Sequence, residues 1–249
     1  GGTILQTDRV NPYSKESIDK GIPEIIWKNI VRLDLGGLIT LGGDDTNTAA
    51  ANISKNHGNF PVVGLSKTMD NDLALPHNAP TYGFQPWVEE ATRLARNLAR
   101  EAKTLARVVV IECFGRDSGF APLGVGMSIG ATRTLIPEVE INLQELIDDV
   151  VLYYKHFGYA VVVVSEAVVI KHTVGSNKVM LEAGLSKDTI AKAYADKPAK
   201  LDGFGHPKLS GAGEIITAIL ASHMPKGINV TLAQKLTYGY RVAEPIYPD

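Results

Sequence analysis

Cysteine is nearly absent: Cys113 stands alone among 249 residues, so no disulfide framework can form, and the chain fits a reducing compartment such as the cytoplasm. Long apolar runs are missing too. The longest, Tyr159 to Val164, is far too short to cross a bilayer, and no signal peptide opens the chain. No charge of one sign dominates. The formal net charge is -2, so there is no global basic field for nucleic acid, and any phosphate ligand must be held by local Arg and Lys. The six histidines (His57, His77, His156, His172, His206, His223) show no ligand spacing, which argues against zinc. No Gly-x-x-x-x-Gly-Lys-Ser/Thr string occurs, which excludes a Walker loop.

What is present is a globular composition, 45% hydrophobic with 24 glycines and 13 prolines, enough for one large domain or two small ones. Strand and helix patterns alternate. Strands are expected over Gly36 to Leu41, Val62 to Leu65, Arg107 to Glu112, Tyr159 to Ser165 and Asn229 to Tyr240. Helices are expected over Asp44 to His57, Phe84 to Lys103, Ser118 to Gly130, Asn142 to Phe157 (with Asn142 as N-cap) and Ser210 to His223. Val/Ile-rich strands between helices indicate an α/β fold with mostly parallel sheets covered on both faces. Residues 171–209 are polar without a strong period and read as surface helices and loops. A boundary is expected near Gly83.

The chemistry concentrates in Ser66-Lys67-Thr68-Met69-Asp70-Asn71-Asp72-Leu73, directly after the apolar run Phe60 to Leu65. Two carboxylates, an amide, hydroxyls and an amine therefore sit just past a strand end, where open parallel sheets bind ligands. Phosphoryl transfer needs such a set: a base for the attacking hydroxyl, a metal ligand, and a cation facing phosphate oxygens. A second string, Gly42-Gly43-Asp44-Asp45-Thr46, follows another strand and opens a helix. Its glycines let backbone N–H groups approach phosphate, and the helix N-terminus favours an anion. Asp44 and Asp45 would repel a bare phosphate, so a divalent cation is implied. Each residue also has a plainer reading: a helix-capping Asp44 or Asp45, a solvated Lys67, a strand-starting Arg107, a strand-capping Glu166, a core Tyr238.

Gly-Gly-Asp-Asp-Thr followed by Lys-Thr-Met-Asp-Asn-Asp-Leu resembles the phosphofructokinases, most closely their pyrophosphate-dependent branch. The resemblance covers nearly the whole chain and implies two similar three-layer α/β/α lobes, truncated at both ends. It implies a donor lobe over 1–82, rejoined by 240–249, and a fructose 6-phosphate lobe over 83–239. The ATP-using branch generally carries Gly where this chain has Asp45 and Lys67. By the same resemblance, Asp45 obstructs a nucleotide and Lys67 contacts pyrophosphate. Asp70 matches the base for the sugar 1-hydroxyl, and Thr68 the hydroxyl that steadies the transferred group. Asp44 and Asp72 match the Mg²⁺-side acids, with Asp72 also beside the substrate. Gly42, Gly43, Thr46 and Arg9 match donor contacts. Phe114-Gly115-Arg116 resembles the sugar-contacting turn, with Arg116 near the chemistry, and Glu166 matches a ligand of the fructose hydroxyls. Arg107 matches an arginine reaching a neighbouring subunit's sugar phosphate, and Tyr238 and Arg241 match groups at the 6-phosphate.

The implied activity is reversible, Mg²⁺-dependent transfer of phosphoryl from pyrophosphate to fructose 6-phosphate, in a cytoplasmic homodimer or homotetramer with neither nucleic acid nor membrane as partner. Asp70 must stay ionised, so Lys67 and the metal are expected to hold its pKa down. Three departures stand out. Ser66 replaces the family's usual Pro, Phe114 replaces its usual Met, and the family's first strand and Gly-rich loop lie upstream of Gly1, so the chain reads as the central part of a longer protein. Rival readings are an ATP-dependent phosphofructokinase, a non-catalytic fragment that binds sugar phosphate, and an NAD or lipid kinase, which would not need the second string.

Overall fold

The computed structural model describes residues 10–168, 176–186, 211–236 and 239. Helices α1 (Lys15–Asp19) and α2 (Ile22–Arg32) lead into strand β1 (Leu38–Gly42), helix α3 (Asp44–Asn56) and strand β2 (Val62–Ser66). A 3₁₀ turn at Pro76–Asn78 precedes the long helix α4 (Phe84–Thr104). Then come β3 (Val108–Cys113), α5 (Phe120–Ile129), β4 (Arg133–Leu135), α6 (Leu143–Phe157), β5 (Ala160–Ser165), α7 (Ser176–Glu182), α8 (Ala212–His223) and β6 (Val230–Leu236).

The parallel α/β class expected from the sequence is the class observed. One sheet pairs β1 with β2, and the other runs β4-β5-β3-β6; every pairing is parallel. In the larger sheet β3 is central and all six of its residues are buried. Alternation sends Val108 and Val110, with Val162 and Val164 of β5, towards α6 and α8. Val109, Ile111 and Cys113, with Val161 and Val163, face Trp87, Ala91 and Ala95 of α4 and Ala121 and Val125 of α5. Both faces of this sheet are therefore covered, the usual state of parallel sheets. In the smaller sheet α3 covers one face. Ile39, Leu41, Val63 and Leu65 share the other face and stay exposed among the described residues.

Local signals set several boundaries. Asn142 caps α6 by accepting from the N–H groups of Gln144 and Glu145, at 3.1 and 3.2 Å, and Gly158 closes it at φ 75°. The first strand starts two residues later than expected, because its ladder opens where the Leu38 N–H meets the Pro61 carbonyl at 2.9 Å. Helix α5 starts at Phe120 rather than Ser118, because the Ser118 N–H closes a turn onto Gly115 at 2.9 Å. Helices α1 and α2 and the three-residue β4 were not anticipated; β4 is too short to show a period. The expected strand to Tyr240 is described as far as Leu236, and of the polar stretch 171–209 only residues 176–186 are described, with α7 in them.

One buried polar knot ties the larger sheet to its cover. Glu112, 1% exposed, accepts the Gly213 N–H of α8 at 2.7 Å and lies 3.5 Å from Lys235 of β6, whose amine also reaches Glu214 at 2.5 Å. Replacing Glu112 by Ala strands the Gly213 N–H in the core, and a buried donor without a partner costs about 2 kcal/mol. Urea unfolding should show that loss for Glu112→Ala and a clearly smaller one for Glu112→Gln, which keeps an acceptor. Equal losses would mean the hydrogen bond is not what matters.

Candidate active site

Parallel pairing brings the two motif-bearing turns side by side. Gly42 lies opposite Ser66 in the register. Its carbonyl accepts the Lys67 N–H at 2.8 Å and the Asn47 side-chain amide at 3.1 Å. A Cβ on Gly42 would fall 2.4 Å from Thr46, so only glycine fits where the strand turns into α3. A Cβ on Gly43, the N-cap of α3, would come 4.0 Å from Thr68. Asp44 and Asp45 then occupy the first turn of α3, with Asp44 exposed.

The loop 66–72 folds back onto the segment before α4. The Tyr82 N–H meets the Ser66 carbonyl at 3.2 Å. The Thr81 hydroxyl donates to the Thr68 carbonyl at 2.7 Å, and the Thr81 N–H donates to the Asn71 side chain at 2.9 Å. Lys67 lies along Gly83, where an added Cβ would stand 3.1 Å from Cε and 3.6 Å from Nζ. Its stem is thus packed at the start of α4 rather than extended into solvent. Thr68 Oγ1 bonds to Asp70 Oδ2 at 3.3 Å and accepts the Asp70 N–H at 3.2 Å. Asp72 projects at the exposed end of the loop.

The larger sheet delivers the third turn. Past β3, the Phe114 N–H bonds the Leu236 carbonyl at 3.2 Å. A Cβ on Gly115 would lie 2.4 Å from the Ser118 carbonyl, and Arg116 adopts φ 48°, a left-handed conformation uncommon outside glycine. Past β5, the Glu166 N–H bonds the Cys113 carbonyl at 3.0 Å, which sets Glu166 beside the same turn. The Ser118 hydroxyl donates to the Asp70 main-chain carbonyl at 2.6 Å, joining this turn to the loop of the smaller sheet.

Asp70, Arg116 and Glu166 thus form one electrostatic group. Burial raises the Asp70 pKa, Asp72 and Asp117 add to the rise, and Thr68 and Arg116 oppose it. The rise runs against the expected lowering, and the Arg116 guanidinium, from the turn after β3, opposes it. Glu166, 7% exposed, is pushed up to about 8, chiefly by burial, with Glu112 and Asp70 adding and the Arg116 backbone and side chain opposing.

Gly42, Gly43, Asp44, Asp45, Thr46, Lys67, Thr68, Asp70 and Asp72 therefore belong to the two adjoining turns, and Phe114, Gly115 and Arg116 to the turn past β3, with Glu166 beside it past β5. Arg107 does not join them. It precedes β3 at the opposite edge of the sheet, 3.8 Å from Glu101. Arg9, Tyr238 and Arg241 lie outside the described residues. Sequence reasoning gave no role to Thr81, Asn47, Glu112 or Ser118. Ser118 stood at the start of an expected helix, and Thr81 and Glu112 carry no local signal because their partners lie ten or more positions away, while those of Asn47 lie five and seven away.

Strand-end turns that gather acids, a hydroxyl and cations at one place on parallel sheets define an α/β protein with a polar ligand site. The family model named Phosphofructokinase matches residues 1–230, and the chain belongs to that family. A Naegleria fowleri protein named pyrophosphate–fructose 6-phosphate 1-phosphotransferase is 31% identical over 259 residues, which cover 98% of this chain and 57% of that protein. An ATP-dependent 6-phosphofructokinase from Mycobacterium bovis is 30% identical over 243 residues, covering 96% of this chain and 62% of that one. The crystal structure of a pyrophosphate-dependent phosphofructokinase from Nitrosospira multiformis shares the fold, with a TM-score of 0.55 and 21% identity over 82% of this chain and 51% of that chain. The chain thus spans little more than half the length of these relatives.

The raised Glu166 pKa fixes the sign of a pH effect. The folded protein holds this proton more tightly than the unfolded chain, so the associated stability is complete below the ordinary 4.5 and is lost as pH rises to about 8. Between about pH 5 and about pH 9, the urea midpoint of the wild type should fall relative to that of Glu166→Gln, whose amide does not titrate. Parallel midpoints across that range would remove the buried-acid assignment.

Proposed function

We propose that this chain is the catalytic part of a phosphotransferase that moves phosphoryl from pyrophosphate to the 1-hydroxyl of fructose 6-phosphate. The observation that carries the reading is the position of Asp70. Its loop adjoins the Gly42–Asp44 turn on one side and, through Ser118, the Arg116 turn on the other. A base between a phosphate-facing turn and a polyol-facing turn is what transfer between them requires. Residues 1–82 with 240–249 form the donor lobe and residues 83–239 the sugar lobe.

A sugar hydroxyl is a weak nucleophile, and a placed carboxylate contributes about 10²–10⁴-fold by taking its proton. Asp70 accepts that proton as the sugar oxygen bonds to phosphorus, and the bond to the departing phosphate breaks. A raised pKa makes Asp70 the stronger base while it stays ionised. Thr68 steadies the transferred group, and Lys67 and Arg116 offset its negative charge. On the donor side, Gly42, Gly43, Thr46 and Arg9 bind pyrophosphate, with Asp45 closing the space a nucleotide would use. Phe114, Gly115, Arg116, Glu166 and Asp72 hold the sugar. Neutral at pH 7, Glu166 both donates to and accepts from its hydroxyls.

The residues fit a divalent cation. Asp44 and Asp72 are exposed hard oxygen donors on neighbouring turns, and repulsion from Asp72 already raises Asp70. Among the described residues no group of three or more His, Cys, Asp or Glu could hold a metal alone. Mg²⁺ fits that pattern, because it binds through one or two carboxylates together with substrate phosphates. When bound, it would supply positive charge to the transferred group.

Arg107 stands a whole strand away from the Arg116 turn of its own chain, which agrees with the role the family resemblance gives it, reaching a neighbouring subunit's sugar phosphate in a homodimer or homotetramer. Tyr238 and Arg241 complete that phosphate's contacts. A cytoplasmic location fits the lone buried Cys113, whose thiol burial pushes up to about 12. Among the described residues no helix is long and apolar enough to cross a membrane.

The second reading, an ATP-dependent donor preference, is favoured by the Mycobacterium bovis relative. Asp45 and Lys67 separate the two. Initial rates with each donor should show Asp45→Gly/Lys67→Gly losing pyrophosphate use and gaining ATP use, and an unaltered preference would leave these residues without a part in donor choice. In the same assay Asp70→Asn should lower kcat by about 10²-fold or more while the sugar KM stays within about threefold. Collapse of sugar affinity alone would make Asp70 a binding group instead of the base.

A further inference from the structure

Ser118 sits in the turn after β3, 6% exposed, and its hydroxyl lies 2.6 Å from the main-chain carbonyl of Asp70, a residue 48 positions away. A carbonyl has no proton to give, so the single hydroxyl proton of Ser118 is committed to Asp70. The lone pairs of the same oxygen face the Phe120 N–H, the first of α5, at 3.5 Å. One small group therefore links the start of α5 to the backbone of the loop residue that bears the carboxylate.

The loop's other anchors come from the segment before α4. Thr81 takes hold of the Thr68 carbonyl and of the Asn71 side chain. Asn71 itself is left-handed at φ 55°. Both Thr81 contacts arise on the smaller sheet's own side and say nothing about distance to the Arg116 turn. Among the described hydrogen bonds of Asp70, the one from Ser118 comes from the turn that carries Arg116, whose Arg116 and Asp117 act on Asp70 through charge.

We propose that Ser118 is a positioning residue that fixes the distance between Asp70 and the Arg116 turn by holding the Asp70 carbonyl. The proposal rests on the phosphotransferase reading above and deepens it. Displacement of a reacting group by about 1 Å costs about 10²-fold in rate, and a buried charge-bearing loop held by one fewer hydrogen bond drifts by a fraction of that. The effect belongs to the chemical step, since Ser118, buried and bonded within the protein, is not among the residues assigned to either ligand.

Three variants of the whole protein test this: Ser118→Ala, Ser118→Thr, which keeps the hydroxyl, and Thr81→Ala as a loop anchor from the other side. Amide hydrogen exchange over residues 68–72 should speed up about tenfold in Ser118→Ala, with α5 protected and the Thr variant near wild type. In rate assays with pyrophosphate and fructose 6-phosphate, Ser118→Ala should lose about tenfold in kcat with both KM values within about twofold, and Ser118→Thr should regain most of it. Thr81→Ala should match Ser118→Ala in exchange but lose less in kcat. Unchanged exchange in Ser118→Ala overturns the link itself. Faster exchange with an unchanged kcat, or equal kcat losses in both alanine variants, overturns the positioning role. A wild type that does not turn over defeats the phosphotransferase reading, while exchange still decides whether the link exists.

Discussion

Parallel pairing is the constraint on which this site depends. In a parallel pair both strands run out at one edge, so the turns that follow are forced together whatever their separation along the chain. Gly42 opposite Ser66 brings the double-glycine turn against the Lys67–Asp72 loop. Cys113 opposite Ser165 does the same for the Arg116 turn and Glu166. Four turns thus meet at two strand pairs, and the hydrogen bond from Ser118 to Asp70 joins the two meetings into one.

That geometry has an electrostatic consequence. Asp70, Asp72, Asp117, Glu166 and Glu112 crowd into one region, where Arg116 acts on Asp70 and Glu166 and Lys235 on Glu112, and burial of Asp70, Glu166 and Glu112 makes additional negative charge expensive. The protein meets the strain partly by hydrogen bonding: Thr68 for Asp70, the Arg116 backbone for Glu166, the start of α8 for Glu112. The remainder is left as raised proton affinity on Asp70 and Glu166.

Much of this was legible in the residues. The Val/Ile runs and their spacing announced β3 and β5, and Asn142 announced the start of α6, because these signals act on the nearest few residues. The motif strings announced that polar turns would follow β1, β2 and β3, because glycines and clustered acids interrupt an apolar strand pattern. The part Arg116 plays in the charge around Asp70 was not anticipated. Lys67 is near in sequence, but its stem lies along Gly83, and Arg116 arrives from another sheet. The five-residue α1 and three-residue β4 are too short to show a period, whereas α2 carried one, with Ile22, Ile25, Ile26 and Ile30 at helical spacing, and went unread.

The sequence by itself settled the α/β class, the approximate extent of the long elements and the family resemblance, since periodicity, capping and motif order are written locally. Tertiary structure alone decided which turns share an edge, that Ser118 holds Asp70, that Glu112 serves α8, and that Arg107 stands apart from Arg116. Those outcomes depend on strand register and on contacts between residues tens of positions apart, and a local pattern carries no information about distance in space.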